Sequence, residues 1–292
     1  MTAIATDQLT LHPFDGALGA EVRGDVAGSL AGGLSGADVF TLLDGLRQHQ
    51  VLVIKEQAMS DEQLLELASY FGPQFVAPDG IPVLGTDEQG AVTVLSNRDE
   101  KGVGSRVALP FHTDFQFMPV PLLGAVLHAV EVPPQEAGGD TLWSNMYLAL
   151  DELPDDIRSK IEGRRGIGIN PYANGIGGAG FTGENQKYID DVVPDFPHPL
   201  IRTHPETGRQ SLYFSMFVYK IEGYEDRPEE EKELLQALRD HVDQDKYYYR
   251  HKWSNGDTII WDNRCTNHKR DDFDQAYDRE VHRVQIAGTK PF

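Results

Sequence analysis

The chain has 292 residues, 40% hydrophobic and 9% aromatic, which supplies a sizeable core and excludes wholesale disorder. Its 46 acidic and 26 basic residues give a formal charge of −20, a solvated acidic surface that repels nucleic acid and anionic lipid. The start lacks a basic segment leading into an apolar stretch, and nowhere do 18 apolar residues run together. Neither a signal peptide nor a membrane span is therefore expected, and cytoplasmic residence is the default.

Segments 18–23 (LGAEVR) and 50–55 (QVLVIK) read as strands flanking a helix at about 36–48. Ser60, with Gln63 three residues on, forms a capping box that opens a helix running to Gly72. From Phe111 onward the pattern turns strand-rich, through 122–132, 141–144, 164–169, 200–204 and 210–215, with HPETGR (204–209) as the turn of a hairpin. A helix at about 228–243 opens with Pro228 and acidic residues, and strands return at 247–253, 257–262 and 279–288. No repeat or low-complexity linker interrupts the series, so one mainly β domain with flanking helices is expected over 1–292. The Gly- and Asn-rich stretch at about 170–197 reads as a long insertion, either a lid or a floppy loop.

A metal centre that leaves positions open for other ligands is well served by two imidazoles and one carboxylate. Three His-x-acid triplets occur, at 112–114, 204–206 and 241–243. The last falls in the expected helix, where residues two apart point away from each other. The second is explained by hairpin chemistry around Pro205 and Gly208. Only His112 and Asp114 stand in strand-like aromatic surroundings, FHTDFQF, where residues two apart share a face. By itself the triplet reads sooner as ordinary polar residues at a strand start than as a metal site. The run WDNRCTNH (261–268) adds His268 beyond a tight polar turn, followed by Arg279 and Arg283 on an apolar strand. Either arginine could be a surface charge, but a guanidinium fork also matches a carboxylate such as the distal one of 2-oxoglutarate. Thr141, in GGDTLWS, is the natural polar partner for that grip. The single Cys265 excludes an internal disulfide and a thiolate-rich zinc site, and reads as a buried small residue rather than a reactive thiol.

These segments resemble the taurine dioxygenase family, which includes phenoxyalkanoate dioxygenases and alkylsulfatases. The resemblance runs collinearly through LGAEVRG, 47–72, FHTD, 138–154, THPETGRQSLY, WDNRCTNH and YDREVHRVQIAGTKPF. It implies a double-stranded β-helix (a jelly-roll, cupin-like core) with iron(II) and 2-oxoglutarate in its mouth and oxygen as the other co-substrate. It further implies His112, Asp114 and His268 as iron ligands, with Thr141 and Arg279 on the distal carboxylate of 2-oxoglutarate. Arg283 would lie near the metal-bound end, close to an anionic group of the substrate. A carboxylate at 114 speaks against a halogenase.

The implied reaction hydroxylates an unactivated C–H of a small, anionic organic molecule and releases succinate and CO2. Taurine itself is not the expected substrate. The chain has Ala108 where taurine enzymes carry Asn, and Ala77 and Gly80 at about the places of their sulfonate-gripping His and Tyr. Segment 212–226 is closer to the phenoxyalkanoate branch, with Phe115, Phe117 and Tyr213 as candidate pocket walls, although each taken singly reads sooner as an ordinary core aromatic. A zinc-dependent hydrolase and a non-catalytic binding protein on the same fold stand as rival readings, and a homo-oligomer is compatible with the sequence.

Overall fold

The computed structural model describes residues 8–76, 90–98, 108–169 and 196–292. Ala77, Gly80 and all but the last two residues of the stretch at about 170–197 lie outside them. The larger sheet runs in the order β1 (Thr10–Pro13), β2 (Ala20–Arg23), β3 (Val51–Ile54), β14 (Thr258–Asp262), β6 (Leu122–Glu131), β16 (Glu280–Ala287) and β4 (Thr93–Ser96). A smaller sheet has the order β13 (Tyr248–His251), β7 (Thr141–Asn145), β15 (Thr266–Arg270) and β5 (Leu109–His112). Strands β12 (Val218–Ile221), β8 (Arg165–Gly168) and β9 (Pro197–Pro199) form a third. The expected hairpin is present as β10 (Ile201–Thr203) and β11 (Gln210–Leu212). Only the β2–β3 pairing is parallel among the described strands.

Period-two alternation decides what each face buries. In β3, Val51 and Val53 point inward while Leu52 and Ile54 point outward; in β14, Ile259 and Trp261 point inward and Ile260 outward. The inward set meets Trp143 of β7, so the two main sheets face each other across a core of Leu127, Trp143, Trp253, Trp261 and Val281. On β16 the same alternation sends Val281 inward and Val284 and Ile286 outward, which puts Arg283 on the inner face. Gly124 of β6 is the tight point of the large sheet. A Cβ there would stand 2.0 Å from the Trp261 carbonyl oxygen, so no larger residue fits.

The outward face is covered by α1 (Val26–Leu30), α2 (Gly36–His49) and α3 (Asp61–Ser69), whose Val26, Leu42, Leu46, Leu64 and Leu67 pack on Leu52, Ile54 and Ile286. Both hydrogen bonds of the Ser60–Gln63 capping box form, although α3 stops at Ser69 rather than Gly72. A second core joins α4 (Met146–Asp151), α5 (Asp155–Ile161) and α6 (Pro228–Val242) to β11 and β12 through Leu150, Leu212, Phe214, Leu235 and Leu238. No described helix is long and apolar enough to cross a membrane.

A buried ionic clamp ties the β10–β11 hairpin to the turn between β14 and β15. Arg264 grips Asp262 with two hydrogen bonds, of 2.8 and 2.6 Å, and reaches Glu206 at 2.5 Å. His204 donates to the same Asp262 at 3.0 Å, assigning its proton to Nε2, while its Nδ1 accepts from the amides of Glu206 and Thr207. Burial alone would raise the Asp262 carboxyl, but the Arg264 guanidinium overrides it and holds the group below the usual carboxylate range. Asp262→Asn, which leaves a buried cation short of its counter-charge, is expected to destabilise the fold by about 3 kcal/mol or more. The carboxylate's contribution is complete above about pH 4 and is lost as pH falls through its lower native value. Urea unfolding of both proteins at neutral and acidic pH checks this, the gap between them narrowing on acidification.

Candidate metal centre and anion pocket

His112 ends β5 and His268 sits in the middle of β15, where they are register partners with ring centroids 4.2 Å apart. His268 therefore belongs to a strand, not to the turn before it. Nor does the strand carry all of the His-x-Asp pair: β5 stops at His112, and Asp114 lies in the turn that follows. The carboxylate still reaches the imidazoles because that turn is tight, with Phe115 at φ 57 in the left-handed region. It is also pinned: Thr113 Oγ1 donates to Asn267 Oδ1 at 2.6 Å, and Asn263 Nδ2 donates to the Asp114 carbonyl at 3.2 Å.

His112 Nδ1 donates to the Pro110 carbonyl at 2.8 Å, which leaves the Nε2 lone pair facing Asp114 Oδ1 at 3.5 Å. His268 Nε2 lies 3.9 Å from the same oxygen, and the three ligand atoms all fall within 4.8 Å of one another. Burial, then the neighbouring His112, push His268 down to about 3, so its ring is neutral at ordinary pH. Burial acts to raise Asp114, yet the charge of Arg283 beside it acts the other way and the carboxyl stays below its usual range. Asp114 Oδ2 and His268 Nδ1 are buried without hydrogen-bond partners. Two imidazoles and one carboxylate form a donor set that suits a divalent metal with open positions. The second His/Asp/Cys cluster, His204, Asp262 and Cys265, does not suit one, because both ring nitrogens of His204 and both oxygens of Asp262 are engaged in the clamp.

Arginines enter from β16. Arg283 Nη1 stands 3.5 Å from Asp114 Oδ2. Arg279 precedes the strand and is held through its backbone by Asn97, whose Oδ1 accepts from its amide at 2.8 Å. Its side chain is only 3% exposed, and its Nε has no hydrogen-bond partner. Burial first, then the charge of Arg270, push Arg279 down to about 9, and among the described residues no carboxylate forms an ion pair with it. Gly139, at φ 88, lets the chain pass close by, since a Cβ there would lie 4.0 Å from Arg279 Nε. Two residues on, Thr141 Oγ1 accepts from Trp253 Nε1 at 2.9 Å, leaving its own proton available to an anion.

With this geometry in view, residues 9–285 match the model of the Taurine catabolism dioxygenase TauD, TfdA family. The chain belongs to that family. The (S)-phenoxypropionate/alpha-ketoglutarate-dioxygenase of Sphingobium herbicidovorans is 31% identical over 281 residues, 95% of this chain and 94% of the relative. The alpha-ketoglutarate-dependent 2,4-dichlorophenoxyacetate dioxygenase of a Burkholderia species is 30% identical, with 90% of each chain covered. Among solved structures, AAD-2 in complex with Mn(II) and N-oxalylglycine aligns with a TM-score of 0.79 at 27% identity, over 97% of this chain and 99% of the other. This oxygenase thus depends on iron(II), 2-oxoglutarate and oxygen, and the rival zinc hydrolase and non-catalytic binding protein find no support among these relatives.

The remaining expected residues sort differently. Phe115 and Phe117 stack at 5.6 Å in a small cluster with Leu122, next to Asp114 in sequence. Tyr213 is buried beneath the Arg202 guanidinium, 4.8 Å from its ring centroid, and its described contacts are those of a core residue. Two residues that sequence reasoning missed lie nearer the centre. Phe217 has its ring 5.7 Å from that of His112. Arg270 is the second, two positions past His268, and counting along β15 could have found it. Cys265 is buried, and desolvation pushes its thiol well up, so it has no thiolate to offer. Cys265→Ala is expected to retain most turnover while costing about 1 kcal/mol of stability, as steady-state assay and thermal unfolding would report.

Proposed function

We propose that His112, Asp114 and His268 hold the iron of this oxygenase, and that Thr141 and Arg279 receive the distal carboxylate of 2-oxoglutarate. The observation that carries the reading is the convergence of three ligand atoms within 4.8 Å, beside a buried arginine that no described side chain neutralises. The facing sheets, packed through Trp143 and Trp261, are read as a double-stranded β-helix forming one catalytic domain. When bound, iron and 2-oxoglutarate supply oxidative decarboxylation of the keto acid to succinate and CO2, with one oxygen atom entering a substrate C–H bond.

The chain's own residues set the terms. Pro110 fixes the His112 tautomer so that Nε2 faces the metal position. Arg283 offsets the negative charge of Asp114 and presents the rest of its fork to an incoming anion. Phe217, against the His112 ring, closes off water from that side. The substrate is then a small organic anion, most simply a carboxylate, in keeping with the phenoxypropionate and dichlorophenoxyacetate named for the relatives. Phe115, Phe117 and Tyr213 are assigned to the walls behind the site rather than to direct substrate contact.

His112→Ala and His268→Ala are each expected to abolish iron binding and turnover while the chain stays folded, because a catalytic metal does not hold the fold together. Anaerobic iron titration with 2-oxoglutarate, following the visible charge-transfer band, checks this beside circular dichroism. Normal turnover by either variant would refute the ligand assignment. The two arginines divide the labour. Losing one charge-assisted bidentate contact costs about 2–5 kcal/mol. Arg279→Ala should therefore raise the KM for 2-oxoglutarate at least tenfold, by the roughly 1.4 kcal/mol-per-decade rule, and move that of the primary substrate far less. Arg283→Ala should weaken the primary substrate instead. Paired saturation curves decide it: an unchanged 2-oxoglutarate curve in Arg279→Ala removes the co-substrate assignment, and undisturbed curves in Arg283→Ala remove the anionic substrate.

A further inference from the structure

We propose that Arg270 is a second cationic anchor for the distal carboxylate of 2-oxoglutarate, acting beside Arg279 and Thr141 and resting on the pocket assignment above. Three placements carry this. The first is alternation along β15. His268 and Arg270 are two residues apart and share the inner face, while Lys269 between them points the other way and lays its ammonium over Phe111 at 4.7 Å. Two residues of strand advance about 6.7 Å. Arg270 is therefore one step deeper than the metal position, where the far end of a five-carbon diacid lies once its keto-acid end is on the metal.

The second placement is register. Across the regular β7–β15 ladder, Arg270 is directly opposite Thr141, just as His268 is opposite Trp143, and directly opposed residues project from the same face. The hydroxyl and the guanidinium thus line one rung of the sheet. The third is the convergence of two cations on one ring. The guanidinium carbons of Arg270 and Arg279 stand 5.2 and 5.9 Å from the Phe273 centroid, Arg270 from the small sheet and Arg279 from the start of β16. Both residues are buried, at 8% and 3% exposure.

Like charges gathered in a desolvated pocket repel, and a bound anion between them removes the repulsion. One carboxylate facing two guanidiniums and a threonine hydroxyl would be held more tightly, and selected more strictly, than by a single arginine fork. The pocket would discriminate a dicarboxylic keto acid from a monocarboxylic one of the same length.

The test uses the iron(II)-loaded protein under anaerobic conditions, titrated with 2-oxoglutarate and with 2-oxopentanoate, which carries a methyl group in place of the distal carboxylate. Dissociation constants come from the charge-transfer band. In Arg270→Gln the constant for 2-oxoglutarate is expected to rise about ten- to a hundredfold, the range for a hydrogen-bonded charge, while that for 2-oxopentanoate stays put. Arg270→Lys keeps the charge and most of the packing but loses the fork, so its preference for 2-oxoglutarate should fall between the two. An unchanged ratio of the two constants in both variants overturns the proposal, as does an equal weakening of both acids, which is what a purely structural arginine would produce. If Arg270→Gln does not fold, the ratio in Arg270→Lys decides alone. Failure of the underlying pocket reading looks different: the unsubstituted protein would then show no preference for 2-oxoglutarate over 2-oxopentanoate.

Discussion

The rung that joins His112 to His268 across β5 and β15 is the constraint on which the site depends. Cross-strand partners on one face are held a few ångströms apart by backbone hydrogen bonds, so the separation of the two imidazoles proposed to bind metal is set by the sheet and not by side-chain choice. Everything else adjusts to that rung. The turn after β5 must bring Asp114 back over it, which the left-handed Phe115 allows. The turn before β15 must start that strand in register, and the Asp262–Arg264–His204 clamp fixes it there.

Charge is organised along the inner face in the same direction. The ionised Asp114 lies at the metal rung with Arg283 against it, and the next step inward brings Arg270, Arg279 and Thr141. The charge of Asp114 is thus offset by Arg283, while Arg279 is a buried cation with no ion pair among the described residues. A buried cation such as Arg279, whose Nε has no hydrogen-bond partner among the described residues, costs stability until an anion arrives. The three-tryptophan core of Trp143, Trp253 and Trp261, together with the helices on the outer face, supplies the hydrophobic stabilisation that makes this affordable.

Much of this was legible before any coordinates. The Ser60 capping box, the THPETG hairpin and the α6 start at Pro228 are local chemistry, and local chemistry is what short stretches of sequence encode. The convergence of His112 and Asp114 with a histidine more than 150 residues later was readable only through collinear resemblance, which supplies a link that periodicity does not. Some details were out of reach for the same reason. That Asp114 sits off the strand depends on a single positive φ. That Tyr213 lies beneath the Arg202 guanidinium is a long-range contact that local sequence does not encode. Arg270 went unread because HKRDD looks like a charged surface run until β15 is known to point its even-numbered positions inward.

The position of β5 in the small sheet has one more consequence. Among the described strands, β15 is paired on both sides, by β7 and β5, whereas β5 is paired only by β15. Edge strands fray at lower free energy than interior ones, so the two imidazoles do not share one local stability. His268 stays in place through small openings that carry off His112 and the turn bearing Asp114. If the iron is held as proposed, its release would be asymmetric: His112 and Asp114 would move together with one edge, and His268 on the interior strand would hold longest. In hydrogen exchange that asymmetry would show as slow amides flanking His268 and faster ones flanking His112, with metal slowing the second group far more than the first.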